Sequence, residues 1–496
     1  MKLEDKDLLS IQETRTLIKQ AKEAQVKLAR LSQEEIDTIV KAIARAAYTN
    51  RVKLAKMAAK ETGIGKWQDK VIKNAFASKM VLDAIKDIKS VGVINRSEEA
   101  KYMEVAVPVG VIAGLIPSTN PTSTVIYKAL IAVKAGNAIV FSPHPSALDS
   151  ILETVRIIDE AAQEAGMPAG IISCITQVTM QATNELMTHD DTKLILATGG
   201  SAMVKAAYSS GTPAIGVGPG NGPAFIERSA DIPTAVRQII ESKTFDHGSI
   251  CASEQSVIVE RVSKEKVVAE FKRQGGYFLP KEDAEKLEKY ILRPNGTMNP
   301  QVVGKPVQTI ADLAGISVPA DTKVLLAEET RVGRHAPYSR EKLAPILAFY
   351  TKETWEEACD LSIEILMQEG AGHTMAIHTT NEAVIEEFAL RKPVSRLLVN
   401  TSATLGGIGA TTNLFPAMTL GSGAVGGSST SDNIAPQNLF NIRRIAWGVR
   451  ELSDIRGTDV FEETIEDTLE ETTGTADLSK DQLINLLVER VLEKIK

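Results

Sequence analysis

From residue 109 onward, short apolar segments typical of β-strands alternate with segments whose apolar residues have helical spacing. The strand-like segments include 109–117, 138–142 and 193–197, and the segment 122–135 between the first two is followed by Gly136, a residue that can end a helix. Strands that are apolar along their whole length are covered on both faces, as in a parallel sheet between two layers of helices. The sequence therefore predicts an α/β fold with a doubly wound, nucleotide-binding type of domain.

A second α/β domain is predicted after Cys251, where the same alternation resumes. The 496 residues are too many for one core. The first ninety residues have helical patterns, with a capping box at Ser32 and Glu35, and residues 92–107 alternate like an exposed hairpin. The predicted division is 1–91 and 109–235 for the nucleotide-binding domain, 236–430 for the catalytic domain, and 92–108 with 438–450 for a β oligomerisation arm that is completed in a partner subunit.

Charge and cysteine content limit the partners and the location of the protein. A net charge of −7 argues against binding to nucleic acid or to an anionic membrane surface. The amino-terminal residues contain no apolar signal region, and the longest apolar run, 105–117, is too short to span a membrane. Three cysteines are typical of a reducing compartment, so we expect a cytoplasmic protein. No metal ligand is predicted.

One of the three cysteines lies in an unusual setting. Cys251 stands in the turn-like stretch GSICAS between a predicted helix and a predicted strand, and its small neighbours leave space around the sulfur. Cys174 and Cys359 lie in apolar segments and are expected to be buried core residues. From its context alone, Cys251 is either a small buried residue or a nucleophile.

Two polar loops follow predicted strands, where open α/β sheets bind ligands. In ATGGS, at 197–201, two glycines permit close approach of a ligand, and a helix then begins whose free N–H groups favour anionic oxygens. In IPSTNPTS, the side-chain amide of Asn120 is able to donate to an oxyanion, although a helix cap is the alternative.

The chain contains six short segments in a fixed order: ETG, PSTNPTS, TGGS, GVGPGNGPAFI, GSICAS and EKLAPIL. In this order and rough spacing, the chain resembles the NAD(P)-dependent aldehyde dehydrogenase superfamily from about residue 10 to 450. The segments FDHGSICASEQSVIVE, AGHTMAIHT and GATTNLFPAMTLGSGAVGG narrow the resemblance to the CoA-acylating branch, especially the aldehyde dehydrogenase half of bifunctional aldehyde–alcohol dehydrogenases.

The resemblance implies a set of site residues. The catalytic residues are the nucleophile Cys251, Asn120 as part of the oxyanion hole with the Cys251 N–H, and His373 as the better of two histidine candidates for proton transfer, with a structural hydrogen bond as the alternative role. The residues expected to contact the cofactor are Ile116, Pro117, Ser142, Pro143, His144, Gly199, Gly200, Ser201, Val217, Gly218, Glu341 and Leu343.

Two departures from the family pattern bear on the chemistry. Ser142 replaces a lysine that binds the adenosine ribose, which leaves NAD or NADP open. Val217 replaces the glutamate that serves as general base in hydrolytic members. Water releases an acyl-enzyme only with the help of a base, whereas a CoA thiol is a good nucleophile at neutral pH. The prediction is therefore NAD(P)-dependent, CoA-acylating oxidation of a short-chain aldehyde, with a hydrolytic enzyme and a non-catalytic scaffold protein as the alternatives.

The last fifty residues differ from the rest of the chain. An acidic, Thr-rich stretch, 460–477, is predicted to be a linker. In residues 478–496, Ser479 and Gln482 form a capping box, and six aliphatic residues lie on one stripe (Ile484, Leu487, Val488, Val491, Leu492 and Ile495). This segment resembles the peptides that direct enzymes into bacterial microcompartments, and the alternative is a helix that packs on its own homodimer or homotetramer.

Overall fold

The computed structural model describes residues 5–456 and 479–494 as a mixture of helices and strands. The helices are α1 Lys6–Leu28, α2 Gln33–Thr49, α3 Arg51–Thr62, α4 Trp67–Ala75, α5 Val81–Ile85, α6 Pro121–Lys134, α7 Leu148–Glu164, α8 Met180–Thr188, α9 Ser201–Tyr208, α10 Ile232–Thr244, α11 Lys264–Arg273, α12 Lys281–Ile291, α13 Val307–Ala314, α14 Trp355–Gln368, α15 Glu382–Arg391, α16 Ala403–Gly407, α17 Leu452–Arg456 and α18 Lys480–Lys494. The strands are β1 Gly92–Ser97, β2 Tyr102–Pro108, β3 Val111–Leu115, β4 Ala138–Ser142, β5 Ile172–Cys174, β6 Thr192–Thr198, β7 Ala214–Val217, β8 Gly222–Ile226, β9 Glu254–Glu260, β10 Gly276–Phe278, β11 Val324–Glu328, β12 Ile346–Lys352, β13 Gly372–His378, β14 Val394–Val399 and β15 Phe440–Ala446.

Two of the sheets are built from parallel strands. The five-stranded sheet has the order β5-β4-β3-β6-β7, and the seven-stranded sheet has the order β10-β11-β12-β9-β8-β13-β14. Strands β3 and β4 are buried along their whole length, as their apolar sequences require. The predicted α/β fold with parallel sheets is confirmed.

Helices α1, α6, α8 and α9 contact strands of the five-stranded sheet. Every residue of α6 is buried, including Lys128 and Lys134. Helix α2 begins with the predicted capping box, in which Ser32 and Glu35 each bond the other's backbone N–H, and it packs against α6 and α7. This packing holds the predicted helical region before residue 92 against the nucleotide-type sheet.

The structure differs from the sequence prediction at the boundary between the two sheets. Strand β8, Gly222–Ile226, pairs with β9 and β13 in the seven-stranded sheet, although the predicted nucleotide-binding domain continued to residue 235. Strand alternation continues across this point, so the sequence pattern does not show which sheet a strand joins. The described residues divide into one compact unit, 5–94 with 105–443, and a second, 95–104 with 444–456 and 479–494.

The predicted arm is a three-stranded sheet of order β1-β2-β15. The Trp447 N–H donates to the Lys101 carbonyl oxygen (3.1 Å), and Arg444 pairs with Glu104 (3.0 Å). The expectation that the segment around β15 completes this sheet in a partner subunit was wrong, because β15 pairs with β2 of its own chain. The predicted linker 460–477 lies outside the described residues.

Candidate active site

The predicted cofactor residues with numbers below 219 lie at the carboxyl-terminal ends of strands in the five-stranded sheet, or in the loops that follow them. Because β3, β4, β6 and β7 are parallel, the loops that follow them lie on the same side of the sheet. The predicted residues there are Ile116 and Pro117 after β3, Ser142, Pro143 and His144 at the end of β4, Gly199, Gly200 and Ser201 after β6, and Val217 and Gly218 at the end of β7. The Ile116 N–H donates to the Ser142 carbonyl oxygen (3.1 Å), which joins two of these loops directly.

The loop between β6 and α9 fits the pyrophosphate of a dinucleotide. Gly200 precedes α9, and no side chain caps the first N–H groups of this helix. A Cβ atom built at Gly200 would meet nothing within 4 Å, so the space in front of these donors is open. Free N–H groups at a helix N-terminus favour an anion, and the residues present here therefore fit a bound NAD or NADP.

Ser142 does not replace the missing lysine as a free donor. It is 5% exposed, and its hydroxyl shares a hydrogen bond with the Thr183 hydroxyl (2.8 Å). His144 is exposed, and its Nδ1 accepts from the Ser146 N–H (3.1 Å). Neither side chain identifies which of the two dinucleotides is preferred.

The turn that carries Cys251 has an unusual backbone. Asp246, His247 and Gly248 all have positive φ angles, of 49°, 52° and 72°, between the end of α10 and the start of β9. A Cβ atom added to Gly220 would lie 1.8 Å from the Cys251 carbonyl oxygen. Part of the space that the small residues leave is therefore filled by the backbone of the GVGPGNG loop.

His373 lies beside Cys251, as the resemblance implied. Its Nε2 is 3.3 Å from the Cys251 Sγ, and its Nδ1 is 2.9 Å from the Thr374 hydroxyl oxygen. Arg396 donates to the same hydroxyl (3.3 Å) and to the His373 carbonyl oxygen (3.0 Å). Burial, with the nearby Arg396 charge, lowers the pKa of His373 to about 3, so the imidazole is neutral at physiological pH.

The charges around Cys251 act in opposite directions. Burial of the sulfur, with the nearby Glu341, raises the pKa of the Cys251 thiol to about 12, while Arg396 and Lys73 lower it. Burial, together with Glu369, raises the pKa of Glu341 to about 8. The free enzyme therefore holds Cys251 as a neutral thiol that needs help to lose its proton.

The Gly220 N–H donates to the Glu341 Oε1 (2.9 Å). Because Gly220 also lies against the Cys251 carbonyl oxygen, it connects Glu341 to the turn that carries Cys251. Leu343, two residues further along, is half-buried, and its carbonyl oxygen accepts from the Gly304 N–H (2.7 Å). Cys174 and Cys359 are buried, as expected for core residues.

Asn120 lies directly before α6, and its side-chain oxygen faces a lysine that sequence reasoning missed. The Asn120 Oδ1 accepts from Lys73 Nζ (2.5 Å), and its Nδ2 donates to the Thr119 hydroxyl (3.1 Å). Lys73 also reaches the Ser249 hydroxyl (3.4 Å), two residues before Cys251. Lys73 and Arg396 belong to a helix and a strand that are distant from Cys251 in the sequence, and no motif around either residue indicates that they meet at the site.

The comparison with protein families shows the family to which the chain belongs. The model of the aldehyde dehydrogenase family matches residues 8–276. The chain belongs to this family. The prediction made from the motif order is thus confirmed.

Curated relatives agree with this assignment. The chain is 44% identical over 442 residues to the bifunctional aldehyde-alcohol dehydrogenase AdhE of Escherichia coli (strain K12), which covers 88% of this chain and 50% of the relative. The chain thus spans about half the length of this bifunctional relative. It is 40% identical over 433 residues to the succinate-semialdehyde dehydrogenase (acetylating) of Clostridium kluyveri, covering 87% of this chain and 95% of that one.

Solved aldehyde dehydrogenase structures have the same fold. A probable aldehyde dehydrogenase of Listeria monocytogenes EGD-e has 71% identity and a TM-score of 0.91, over 91% of this chain and 100% of that one. An acetylating aldehyde dehydrogenase of Geobacillus thermoglucosidasius has 56% identity and a TM-score of 0.89, over 91% and 99%.

More distant propionaldehyde dehydrogenases also match. One, from the fucose utilisation bacterial microcompartment of Clostridium phytofermentans, has 28% identity and a TM-score of 0.80, over 88% of this chain and 97% of that one. Another, from Rhodopseudomonas palustris, has 26% identity and a TM-score of 0.80 over the same two fractions, and it was solved with bound CoA and an acylated cysteine.

Within the described residues, 5–456 and 479–494, no group of three or more histidine, cysteine or acidic side chains could hold a metal ion. None of the helices in these ranges combines the length and the apolar composition that crossing a bilayer requires.

Proposed function

We propose that this chain is a CoA-acylating aldehyde dehydrogenase, which converts a short-chain aldehyde, NAD and CoA reversibly into an acyl-CoA, NADH and a proton, with NADP as the alternative cofactor. The observation that carries the proposal is the pairing of Cys251 with a neutral histidine at 3.3 Å, in a chain with a valine at position 217. The acetylating relatives and the acylated cysteine of the Rhodopseudomonas palustris enzyme support it.

The first step is addition of Cys251 to the aldehyde carbon. As the sulfur–carbon bond forms, the thiol proton moves to His373 Nε2, in the tautomer whose Nδ1–H donates to Thr374. The negative charge that develops on the aldehyde oxygen is stabilised by the Asn120 Nδ2–H and the Cys251 N–H, each acting as an oxyanion-hole donor. Neutral imidazole suits this role because a protonated ring has no free lone pair.

A dinucleotide held at the loop of Gly199, Gly200 and Ser201 would supply the hydride acceptor, and loss of hydride from the adduct would leave a thioester on Cys251. His373 then releases the first proton to solvent. As the thiol of CoA attacks the thioester, His373 is again placed to take the thiol proton, and it returns this proton to the Cys251 sulfur, which leaves as the acyl group is transferred. Val217 is 4% exposed and aliphatic, so it cannot activate water as the glutamate of hydrolytic members does. Transfer to CoA is therefore faster than hydrolysis.

A burst experiment tests the proposal. Mixing the enzyme with aldehyde and NAD, without CoA, should form about one NADH per active site and then stall, because the thioester accumulates. Adding CoA should restore steady turnover to acyl-CoA. Continuous NADH formation to free acid at the same rate without CoA indicates the hydrolytic alternative. No burst, together with no labelling of Cys251 by iodoacetamide, indicates the scaffold alternative.

We also propose a homodimer or homotetramer that is assembled through the arm. Large apolar side chains of the arm are exposed in the single chain, including Val93, Ile442, Trp447 and Val449, at 48%, 41%, 52% and 60%. Large apolar side chains that are exposed in a single chain are typical of residues that a protein interface covers. Sedimentation at micromolar concentration that shows only a monomer would contradict this assembly.

The carboxyl-terminal helix is proposed to bind a microcompartment shell or another cargo tail, inside the cytoplasm. Directly before α18, the Ser479 N–H donates to the Gln482 side chain (2.9 Å), and in the helix the stripe residues Ile484, Val488 and Val491 are more than half exposed. Six aliphatic side chains contribute roughly 1.5–3 kcal/mol each when fully buried, which is enough to support docking. The microcompartment origin of one solved relative supports this location.

Deletion of the chain after Ala476 tests this role. The truncated enzyme should keep its CoA-dependent activity and oligomeric state, and a fluorescent protein fused to the tail should move to shell particles. If deletion dissolves the oligomer or removes several kcal/mol of stability, the helix packs on the enzyme itself.

A further inference from the structure

Two lysines on one face of α4 converge on a single buried carboxylate. Lys70 and Lys73 are three residues apart, so they lie on the same side of the helix, and each is 2% exposed. Both donate to the Oδ2 of Asp246, which is completely buried. Burial by itself would raise the pKa of Asp246, but the two lysine charges hold it well below its ordinary value.

Asp246 is held tightly in place on the cysteine turn. Its Oδ1 accepts from the Lys66 N–H (2.7 Å), its Oδ2 accepts from the Ser249 hydroxyl (2.8 Å), and its own N–H donates to the Asp69 carboxylate (2.7 Å). The positive φ angle of Asp246 is accommodated by these bonds. The position of α4 relative to the turn before Cys251 is thereby fixed.

Beyond Asp246, the two lysines differ in what they contact. Lys70 Nζ donates to the Thr119 carbonyl oxygen (2.9 Å), whereas Lys73 Nζ donates to the side-chain oxygen of Asn120 (2.5 Å). An ammonium group has donors and no acceptor, so it admits only the oxygen of the Asn120 amide on its side. The Asn120 NH₂ must then point the other way, where one hydrogen is used by the Thr119 hydroxyl (3.1 Å) and the other is unassigned.

We propose that Lys73 is a positioning residue for acyl transfer, which fixes the Asn120 amide so that its N–H, and not its carbonyl, faces the oxygen of the reacting aldehyde or thioester. This inference rests on the oxyanion role given to Asn120 under the proposed function. An amide rotated by 180° would present a lone pair to a developing negative charge, which is repulsive. Correct orientation is therefore as necessary as the amide itself.

The charge of Lys73 acts in the same direction. It lies close enough to Cys251 to lower the pKa of the thiol, and its contact with the Asn120 oxygen polarises the amide toward better N–H donation. Burial lowers the pKa of Lys73 itself to about 8, against the opposing effect of Asp246. Lys73 thus remains mostly protonated near neutral pH.

The test compares Lys73→Met with Lys70→Met. Each variant removes one of the two cations from Asp246, but only Lys73→Met frees the Asn120 amide. The readout is the single-turnover rate of NADH formation with aldehyde and NAD, which precedes CoA. We expect Lys73→Met to lower this rate and kcat 10- to 100-fold with KM for aldehyde and CoA within threefold, and Lys70→Met to lower kcat less than threefold. Lys73→Gln, which keeps a partner for Asp246, should fold more readily and lower kcat at least tenfold.

A double-mutant cycle completes the test. If Lys73 acts through Asn120, adding Lys73→Met to Asn120→Ala should reduce the rate by less than threefold beyond Asn120→Ala alone. Three outcomes would each overturn the proposal. The rate losses of Lys73→Met and Asn120→Ala multiply in the double variant, Lys70→Met loses as much kcat as Lys73→Met, or Lys73→Gln is fully active. The failure of the proposed function is distinct, because in that case the wild-type enzyme itself shows no NADH burst or no CoA dependence.

Discussion

Replacing Gly220 with alanine tests whether the turn that carries Cys251 keeps its geometry only because position 220 has no side chain. Gly220 is buried, and its φ angle lies outside the left-handed region, so alanine is compatible with its backbone. The new Cβ atom, however, would lie 1.8 Å from the Cys251 carbonyl oxygen, whereas real Cβ contacts are essentially never shorter than 3.0 Å. The two groups must therefore separate by about 1.2 Å, the difference between these distances.

This displacement falls on the residue that carries both the nucleophile and one proposed oxyanion donor. A misplacement of about 1 Å in a catalytic site can reduce the rate about 100-fold. We therefore expect kcat/KM of Gly220→Ala to fall by about two orders of magnitude. Overpacking in a buried loop destabilises a protein by about 1–3 kcal/mol, so the variant should still fold.

The assay is aldehyde- and CoA-dependent NAD reduction, measured with a thermal melt of the same sample. Gly448→Ala is the matched control, because it adds the same methyl group where nothing lies within 4 Å. The control should retain wild-type kcat/KM. If Gly220→Ala folds like the wild type and keeps kcat/KM within threefold, the argument that this close approach positions Cys251 is refuted.

Three further predictions concern the cysteines, the histidine partner and a buried carboxylate. Cys251→Ser should abolish NADH formation, while Cys174→Ser and Cys359→Ser should retain it in the same assay, and loss of activity in all three would deny Cys251 a special role. Thr374→Val removes the hydroxyl that contacts His373 Nδ1, so it should lower kcat at least tenfold and shift the pH dependence of kcat. Thr374→Ser keeps a hydroxyl and should have the wild-type kcat and pH dependence. Equal activity of the two variants would contradict a positioning role for Thr374. Burial raises the pKa of Glu254 from 4.5 to about 7, so the native state favours the neutral carboxyl group. The contribution of Glu254 to the free energy of unfolding is therefore complete below pH 4.5 and is lost as the pH rises through about 7. The free energy of unfolding of Glu254→Gln, measured by urea titration from pH 4 to 8, should lack this fall, and an unchanged pH dependence would contradict the assignment.

The local pattern of the sequence determined the fold class and the loops that carry the site. Strand and helix periodicity depends on residues a few positions apart, so β3, α6 and the loop at Gly199 were predictable from their own segments. Cys251 was recognisable because a small-residue turn around a cysteine is a local feature. The assignment of β8 to the second sheet was not, since pairing partners depend on contacts between segments that are far apart in sequence.

Only the tertiary structure decided which polar side chains surround the nucleophile. Lys73 meets Asn120, and Arg396 meets Thr374, across distances of 47 and 22 residues in the chain. A lysine in a short helix has the same sequence appearance whether it faces solvent or a buried aspartate. Its pKa and its effect on the site follow from burial and neighbouring charges, and these exist only after the chain has folded.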